Sequence, residues 1–295
     1  MATGFAINNF LFPTFGIVIN IEEFIKEALH EDIGEGDHTT LATIGEDVTG
    51  KAEIIVKEAC IISGIVLADR ILTYYDPTLI VKTHFADGEK IPAGTTCITI
   101  EGHVRSMLSC ERLVLNCMQR MSGIASLTYK MCAQIAGTKA KILDTRKTTP
   151  LFRLIEKWAV KTGGGENHRF GLYDMILVKN NHVDAAGGVS QAITGVKEYL
   201  KKKNKNLFIV VETRNMAEIN EVLQAGGVDR ILLDNFSPAQ LAEAVKMIDG
   251  KAETEASGKI TLDNVRQYAE TGVDYISAGA LTHSYKTVDM SLRIK

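Results

Sequence analysis

Three short segments of the sequence carry residue types that bind anionic ligands. The segment 144–147 reads DTRK, 163–170 reads GGGENHRF, and 177–182 reads LVKNNH. Arginine forks grip carboxylates and phosphates through two parallel hydrogen bonds, and lysine adds a point charge. Together these segments predict a site for a polyanion. The candidate residues are Arg146, Lys147, His168, Arg169 and Lys179.

Two acids and two loops of small residues extend this set. Glu212 ends the apolar run FIVV, and Asp234 ends RILL. In a cationic site such acids can hold a magnesium ion that bridges ligand oxygens, bind ribose hydroxyls or stabilise a positive transition state. Two small-residue loops would let backbone N–H groups approach a phosphate. The loop residues are Ser257, Gly258 and Lys259, and Ala278, Gly279 and Ala280.

Each of these residues, taken alone, also has a structural interpretation. A cation at a strand end is commonly a surface side chain with a buried stem. His168 alone is typical of a satisfied structural imidazole, and a GGG stretch is usually a loop without a ligand. Glu111 and Arg112 fit a charged pair that faces solvent. The functional interpretation therefore depends on the whole set.

Six short apolar runs after residue 140 predict the strands that position this set. They alternate with helical segments, as βα units do, and continuous apolar runs are typical of strands buried on both faces. In an α/β barrel the carboxyl ends of the strands form the face that holds the active site. We therefore expect the polar residues that end the runs to converge. The runs are AKIL, MILV, FIVV, RILL, a weaker one at 252–256, and YISA.

Local signals predict where the helices between these runs begin and end. Thr149-Pro150 and Ser237-Pro238 have the form of an N-cap residue followed by proline at the first helical position. Gly163 and Gly272 lie where helices should end.

The first half of the sequence has a different pattern. Helical spacing covers residues 20–36, whereas 51–66, 79–85 and 95–102 predict the strands of a small antiparallel sheet. Helical periodicity returns at 106–136, and the Ser122-Gly123 pair within it predicts a break.

Composition limits the class of protein. The 295 residues are 45% hydrophobic and 23% charged, which is typical of a soluble globular protein with one large barrel or two domains. The net charge of −3 gives no global signal for nucleic acid. Five cysteines without a C-x-x-C pattern argue against a disulfide framework or a zinc site, and favour a reducing compartment.

Residues 1–20 carry no charged side chain. They lack the basic region of a signal peptide, and Asn8, Asn9 and Pro13 argue against a membrane span. We interpret them as a partly ordered arm or a packing segment.

Long motifs in a fixed order resemble the quinolinate phosphoribosyltransferases, also called carboxylating nicotinate-nucleotide pyrophosphorylases. The similarity begins near EDIG at residue 31 and continues almost to residue 295. Motifs of this length and order are far more specific than a single pattern. They are ERLVLNCMQRMSGIAS, DTRKTTP, WAVKTGGGENHRFGLYDMILVKNNH, VET, LLDN, EASGK and DYISAGALTHS.

The resemblance implies a fold, an assembly and a location. It implies an N-terminal α/β sandwich at 1–122, an open α/β (TIM-like) barrel at 123–280 that carries the active site, and a tail at 281–295 that returns to the sandwich. The family works at least as a homodimer, and a hexamer stays open. A cytoplasmic enzyme with neither a membrane nor a nucleic-acid partner is expected.

The resemblance also implies a reaction. The family converts quinolinate and phosphoribosyl pyrophosphate, with magnesium, into nicotinate mononucleotide, carbon dioxide and pyrophosphate, as a step of NAD biosynthesis. The pyridine nitrogen attacks the anomeric carbon as pyrophosphate leaves, through an oxocarbenium-like transition state. Loss of the 2-carboxylate then gives an ylide stabilised by the positive ring nitrogen. No cysteine is required to react.

The family's roles map onto matching positions here. Arg146, Arg169, His168 and Lys179, with Thr145 beside them, resemble the quinolinate-carboxylate pocket. Arg112 resembles an arginine that completes the neighbouring subunit's site, and Lys147 a cation on the pyrophosphate or ribose side. Glu212 and Asp234 resemble the acids near the ribose and magnesium, and we expect both, with Lys147, to act in catalysis. The loops with Ser257, Gly258 and Lys259, and with Ala278, Gly279 and Ala280, resemble those that hold the 5′-phosphate.

Two positions depart from the family pattern. Asn180 stands where the family usually has an acid, which weakens any role for that side chain. Lys259 replaces a common glycine and adds a cation where a phosphate should lie.

Three alternatives compete with this interpretation. A nicotinate-specific phosphoribosyltransferase would bind one carboxylate and need fewer cations. A non-catalytic sensor of phosphoribosyl ligands would not need Glu212 and Asp234. A sugar-phosphate aldolase or isomerase would use a catalytic lysine such as Lys179 as a Schiff base.

Overall fold

The computed structural model describes residues 21–295, so the interpretation of residues 1–20 lies outside the described residues. Within residues 21–295, the N-terminal layer contains four helices. The predicted helix at 20–36 is confirmed as the first of them, with slightly shorter bounds. The helices are α1 (Ile21–Ile33), α2 (His38–Thr43), α3 (Ile65–Tyr75) and α4 (Val104–Gln134).

A four-stranded antiparallel sheet forms the other half of this layer, as predicted. Its order is β12-β1-β5-β3, so a strand from the far end of the sequence forms one edge. On β1, Ala52, Ile54 and Val56 alternate toward the core, as a sheet with one buried face requires. The strands of this region are β1 (Thr49–Val56), β2 (Cys60–Ile61), β3 (Ile80–Thr83), β4 (Lys90–Ile91), β5 (Thr95–His103) and β12 (Met290–Ile294).

The strand predicted over residues 51–66 is wrong in its second part. After β1 and the short β2, the chain turns at Gly64, whose φ of +99° is left-handed, and continues as helix α3. The Asp87 carboxylate accepts the Ile65 N–H at 2.8 Å and so caps this helix. The capping residue is 22 positions away, so a local pattern could not contain this signal.

The break predicted at Ser122-Gly123 is also wrong, because α4 runs for 31 residues without interruption. The Ser122 hydroxyl accepts the Ser63 N–H at 3.0 Å and donates to the Ser63 carbonyl at 3.1 Å, so it joins α4 to the segment before α3. A Cβ at Gly123 would overlap the Lys286 carbonyl oxygen. These two small residues therefore allow close contact, and α4 passes straight through the proposed division at residue 122.

The second layer is an open α/β barrel, as predicted. All six apolar runs form strands, which pair in parallel in the order β6-β11-β10-β9-β8-β7. The two edges are β6 and β7, and a parallel bridge from Leu143 to Glu166 lies against the β6 edge. The strands are β6 (Lys141–Leu143), β7 (Ile176–Val178), β8 (Ile209–Thr213), β9 (Arg230–Asp234), β10 (Glu253–Ser257) and β11 (Tyr275–Ser277).

Helices cover the outside of this sheet. The predicted start at Ser237-Pro238 is confirmed, because the Ser237 and Gln240 side chains form a capping box with Pro238 in the first turn. The predicted start at Thr149-Pro150 is wrong: the helix begins at Arg153, and Thr149 bonds to Arg120 and Glu156 instead. The helices are α5 (Arg153–Thr162), α6 (Asn180–Ala186), α7 (Val189–Lys203), α8 (Met216–Ala225), α9 (Pro238–Ile248), α10 (Val265–Ala269) and α11 (Ala280–His283).

The predicted helix end at Gly163 is confirmed, since Gly163 is the C-cap of α5. Gly272, with φ +86°, lies in the turn just after α10. One continuous apolar core spans both layers, and all five cysteines lie in it or against it as free thiols.

Candidate active site

The carboxyl ends of the parallel strands bring the predicted acids and loops to one face. In the sheet register Glu212 pairs with Leu232, and Ser257 pairs with Asp234 two positions further along. Residues paired in a parallel sheet, and residues two apart on a strand, project to the same side. Glu212, Asp234 and Ser257 therefore share the inner face of the barrel, near its carboxyl end.

Arg146 and Arg169 form the cationic part of this face. Burial lowers the pKa of Arg169, and the positive charge of Arg146 nearby lowers it further. The Arg169 Nη1 donates to the Met175 carbonyl at 3.2 Å. The Arg146 Nε is buried and has no hydrogen-bond partner among the described residues. Two guanidinium groups close enough to interact electrostatically, one of them with an unused buried donor, are suited to an anion with several oxygens.

The segment that carries Arg169 is fixed to the end of β6 by Asp144. This buried carboxylate accepts the His168 N–H at 2.9 Å and also bonds to Lys157 and Asn167. Lys157 is fully buried, and its ammonium donates to the His168 carbonyl at 2.9 Å. Burial raises the pKa of Asp144 and lowers that of Lys157, while their attraction opposes both shifts.

The His168 ring is held on both sides by the protein. Its Nδ1 accepts the Arg169 N–H at 2.7 Å, and its Nε2 lies 3.3 Å from the Glu255 carboxylate. The His168 side chain is 7% exposed. Since both nitrogens have protein partners, His168 faces the interior of the barrel rather than an open pocket.

Glu212 and Asp234 face each other closely enough to interact. Burial raises the pKa of Glu212, and the negative charge of Asp234 adds to the rise. The Asn180 N–H, 3.4 Å from the Glu212 carboxylate, opposes it, as do Lys179 and His182. Lys179 thus lies near the acids as well as at the end of β7, so the structure joins these predicted residues into one cluster.

Lys147 lies against the last loop of the barrel. A Cβ at Gly279 would lie 2.8 Å from Cδ of Lys147 and 3.1 Å from Nε2 of His283. The Thr282 hydroxyl donates to the Lys147 carbonyl at 2.8 Å, and the Thr145 hydroxyl accepts the Lys147 N–H at 3.0 Å. A side chain at Gly279 would have to displace the Lys147 and His283 side chains, and Ala278 and Ala280 flank this position.

A cavity of about 680 Å³ opens beside Lys147. Most of its lining side chains are cations or hydroxyls, which suits a phosphorylated ligand. The lining residues are Arg120, Lys147, Thr148, Thr149, Thr282, His283, Tyr285, Lys286 and Thr287.

The loop at residues 257–259 has an unusual backbone. Gly258 has φ +106°, and a Cβ there would overlap the side chain of Asn235, whose N–H donates to the Ser257 carbonyl at 2.8 Å. Lys259 adopts φ +51°, a left-handed conformation that glycine adopts without strain. Lys259, where the family has a glycine, therefore adopts a backbone conformation that is unfavourable for a residue with a side chain.

Arg112 is separate from this cluster. It is exposed on α4, and no hydrogen bond or ion pair found for residues 21–295 joins it to the barrel residues. The same part of the chain contains no group of three or more His, Cys, Asp or Glu placed to hold a metal. None of its helices combines the length and apolar character of a membrane span.

The residues that support the site were missed by the sequence patterns. Asp144 follows β6 directly, so its position at a strand end was a usable signal. Lys157 and Glu255 are fully buried charges inside otherwise ordinary elements. Their partners lie 11 or more positions away, so no local spacing indicates them.

Comparison with known proteins agrees with this architecture. The family model described as quinolinate phosphoribosyl transferase, C-terminal domain, matches residues 124–293, and the N-terminal domain model of that family matches residues 37–122. The decarboxylating quinolinate phosphoribosyltransferase 1b of Nicotiana tabacum is 44% identical over 100% of this chain and 88% of its own length.

Two further relatives extend the comparison. The chloroplastic carboxylating nicotinate-nucleotide pyrophosphorylase of Arabidopsis thaliana is 45% identical over 96% of this chain and 84% of its own. The crystal structure of NadC from Streptococcus pyogenes has a TM-score of 0.88 and 36% identity, covering 96% of this chain and 100% of that one. Because sequence and structure agree over nearly its whole length, this chain belongs to the quinolinate phosphoribosyl transferase family.

Proposed function

We propose that this chain transfers the phosphoribosyl group of phosphoribosyl pyrophosphate to quinolinate, with decarboxylation to nicotinate mononucleotide. The observation that carries the proposal is the pairing of Arg146 with Arg169, in which a buried guanidinium Nε has no partner. Quinolinate presents two adjacent carboxylates, so it offers the oxygens that two such groups require. A base with one carboxylate would satisfy this pair less completely.

The two acids support the transfer step. The pyridine nitrogen of quinolinate attacks the anomeric carbon while the bond to pyrophosphate breaks, so positive charge develops on the ribose. Glu212 and Asp234 lie on one face of the barrel and supply negative potential where that charge forms. Lys147, beside Gly279 and the 680 Å³ cavity, neutralises the leaving pyrophosphate.

The carboxylates of Glu212 and Asp234 fit a magnesium ion that is held jointly by the protein and the substrate. Mg²⁺ prefers oxygen donors, keeps several waters, and is commonly held by one or two carboxylates together with substrate phosphates. Glu212 and Asp234 would hold it, directly or through water. When bound, the ion would offset negative charge on the pyrophosphate oxygens.

We also propose that the enzyme is at least a homodimer in which Arg112 completes the neighbouring site. Arg112 is exposed on α4 and free to reach a second copy. Leu151 and Leu172 are 79% and 69% exposed, and such exposed apolar side chains support a surface that a second subunit covers. A cytoplasmic location stays a proposal, since the Arabidopsis relative is named as chloroplastic; cell fractionation checks it.

An end-point assay tests the reaction. The protein is incubated with phosphoribosyl pyrophosphate and magnesium, with quinolinate or nicotinate in parallel, and pyrophosphate and carbon dioxide are measured. We expect equal amounts of both products from quinolinate and little pyrophosphate from nicotinate. Pyrophosphate from nicotinate alone would move the protein to the sister activity, and turnover of neither would favour a sensor.

A further inference from the structure

A column of charged side chains lies inside the barrel beneath the site. Glu255 is fully buried on β10, two residues before Ser257 and on the same face. Its Oε2 accepts from Nη1 of Arg230 at 3.1 Å and lies 3.3 Å from Nε2 of His168. Although burial alone would raise the pKa of Glu255, His168 and Arg230 outweigh it and hold that pKa below its usual value.

The two contacts of His168 select one form of its ring. Nδ1 accepts the Arg169 N–H at 2.7 Å, so Nδ1 carries no proton. Nε2 must then carry the ring proton and donate it to Glu255. An ionised carboxylate can only accept, so Glu255 cannot bind the opposite tautomer.

We propose that Glu255 is a positioning residue for the reaction: by accepting from Nε2 it holds His168 in the tautomer whose Nδ1 binds the Arg169 N–H. Arg230 keeps the carboxylate in place from below, so the order of contacts is Arg230, Glu255, His168, Arg169. The inference rests on the proposed function, because these contacts matter for catalysis only if Arg169 binds the carboxylates of quinolinate.

The need for such support follows from the charges at the site. Arg146 and Arg169 repel each other when no anion lies between them, so their backbone must be held by other contacts. Asp144 holds the His168 backbone, and Glu255 holds its ring. A displacement of about 1 Å at a binding group can cost roughly 100-fold in rate.

The test compares Glu255→Gln with Glu253→Gln. Glutamine keeps the size of the side chain, but its amide can donate to Nε2 and so permit the opposite tautomer. Glu253 also bonds to Arg230, at 2.7 and 2.9 Å, but no contact joins it to His168. Glu253→Gln is therefore the control: it removes a carboxylate that bonds to Arg230 but leaves the contacts of the His168 ring in place. Thermal unfolding of both variants checks that they fold.

We expect Glu255→Gln to raise KM for quinolinate by about 10- to 100-fold, with KM for phosphoribosyl pyrophosphate within about twofold of wild type. Glu253→Gln should leave both within about twofold. Equal rises in the two KM values, or an unchanged quinolinate KM, would overturn the inference. If the wild-type protein does not turn over quinolinate at all, the proposed function itself is wrong.

A second measurement does not depend on a variant. Long-range proton–nitrogen NMR spectra of histidine-labelled wild-type protein, with His168→Gln to assign the signal, report which ring nitrogen carries the proton. We expect the neutral ring of His168 to carry its proton on Nε2. An Nδ1–H form or a mixture in the wild-type protein would contradict the inference, whatever the stability of Glu255→Gln.

Discussion

At the scale of single residues, Arg146 and Arg169 form a binding site in which the fold holds two positive charges near each other before an anion binds. Burial and the charge of Arg146 lower the pKa of Arg169, and the buried Arg146 Nε has no hydrogen-bond partner among the described residues. Both effects are unfavourable until an anion binds. The free energy of forming this arrangement is therefore recovered when the ligand binds, which favours a dianion over a monoanion.

The first prediction concerns this pair. Arg146→Ala should lower kcat/KM for quinolinate by a factor between about 30 and a few thousand, because removing one partner of a buried charge contact costs about 2–5 kcal/mol. Arg146→Lys, which keeps the charge but not the fork, should lie between the alanine variant and wild type. Steady-state kinetics measure both.

Arg266→Ala is the matched control, since the exposed Arg266 contacts Glu270 and the carbonyls of Gln134 and Ala136, none of which is a predicted site residue. It should leave kcat/KM unchanged. Near-normal kinetics of Arg146→Ala would refute the pocket assignment.

The second prediction concerns the pH dependence set by Glu212. We take its ionised form as the active one, and burial together with Asp234 raises its pKa. An acid with a raised pKa is protonated sooner as the pH falls, so activity should be lost on the acid side. Asn180→Asp adds a negative charge beside Glu212, so the acid limb of kcat should move to higher pH by roughly 0.5–1 unit. A pH–rate profile measures the shift.

Asn181→Asp serves as the comparison, because Asn181 is exposed and adjacent in sequence. It should move the limb by much less. A shift to lower pH in Asn180→Asp would show that Glu212 does not control this limb.

At the scale of elements, the helix α4 shows how tertiary contact overrides a local signal. Glycine weakens a helix interior by about 1 kcal/mol relative to alanine. Gly123 nevertheless lies in the middle of 31 helical residues, because the Lys286 carbonyl passes where a Cβ would be. The close contact joins α4 to the segment that leads to β12.

The third prediction uses two helical glycines with opposite surroundings. Gly123→Ala should lower the free energy of unfolding by about 1–3 kcal/mol, since overlap with a backbone oxygen outweighs the gain in helix propensity. Gly195→Ala on α7, where no atom lies within 4 Å of the added Cβ, should raise it by about 0.5–1 kcal/mol. Urea unfolding followed by circular dichroism measures both. Stabilisation by Gly123→Ala would contradict the observed contact.

The elements that the sequence predicted are those whose signals are local. Five of the six barrel strands contain a continuous apolar run, which predicts them, whereas β10 gives only a weak run because it includes Glu253 and Glu255. The start of α9 is predictable because Ser237 and Gln240 cap it within one turn. The sequence pattern places the start of helix α3 in a strand, because that start depends on Gly64 and on Asp87 from another part of the chain.

The same distinction applies to the site. Glu212, Asp234 and Ser257 could be predicted, because they end strands that must align. Glu255 and Lys157 could not, since only the folded barrel brings their partners to them.

At the scale of the whole molecule, the separation of Arg112 from the barrel residues leads to the fourth prediction. Arg112→Ala and Arg169→Ala, each weakly active alone, should regain activity when mixed and allowed to exchange subunits. Half of the dimers would then be mixed, each with one intact site of two, so about a quarter of wild-type activity should return. An assay of the mixture against time measures this.

The control is a mixture of Arg146→Ala and Arg169→Ala, which place both defects in the same barrel site. It should recover nothing. Recovery there, or none in the first mixture, would contradict the shared site.

The position of β12 in the N-terminal sheet also affects how the protein is made. During synthesis the strand β1 emerges more than 230 residues before its partner, since it pairs with β12 at Val56 and Met290. Until then one edge of β1 has unpaired backbone groups, which are prone to pair with other chains. The barrel can form before the sheet is complete. A nascent chain stalled before residue 290 should therefore have an ordered barrel and an exposed, aggregation-prone first layer.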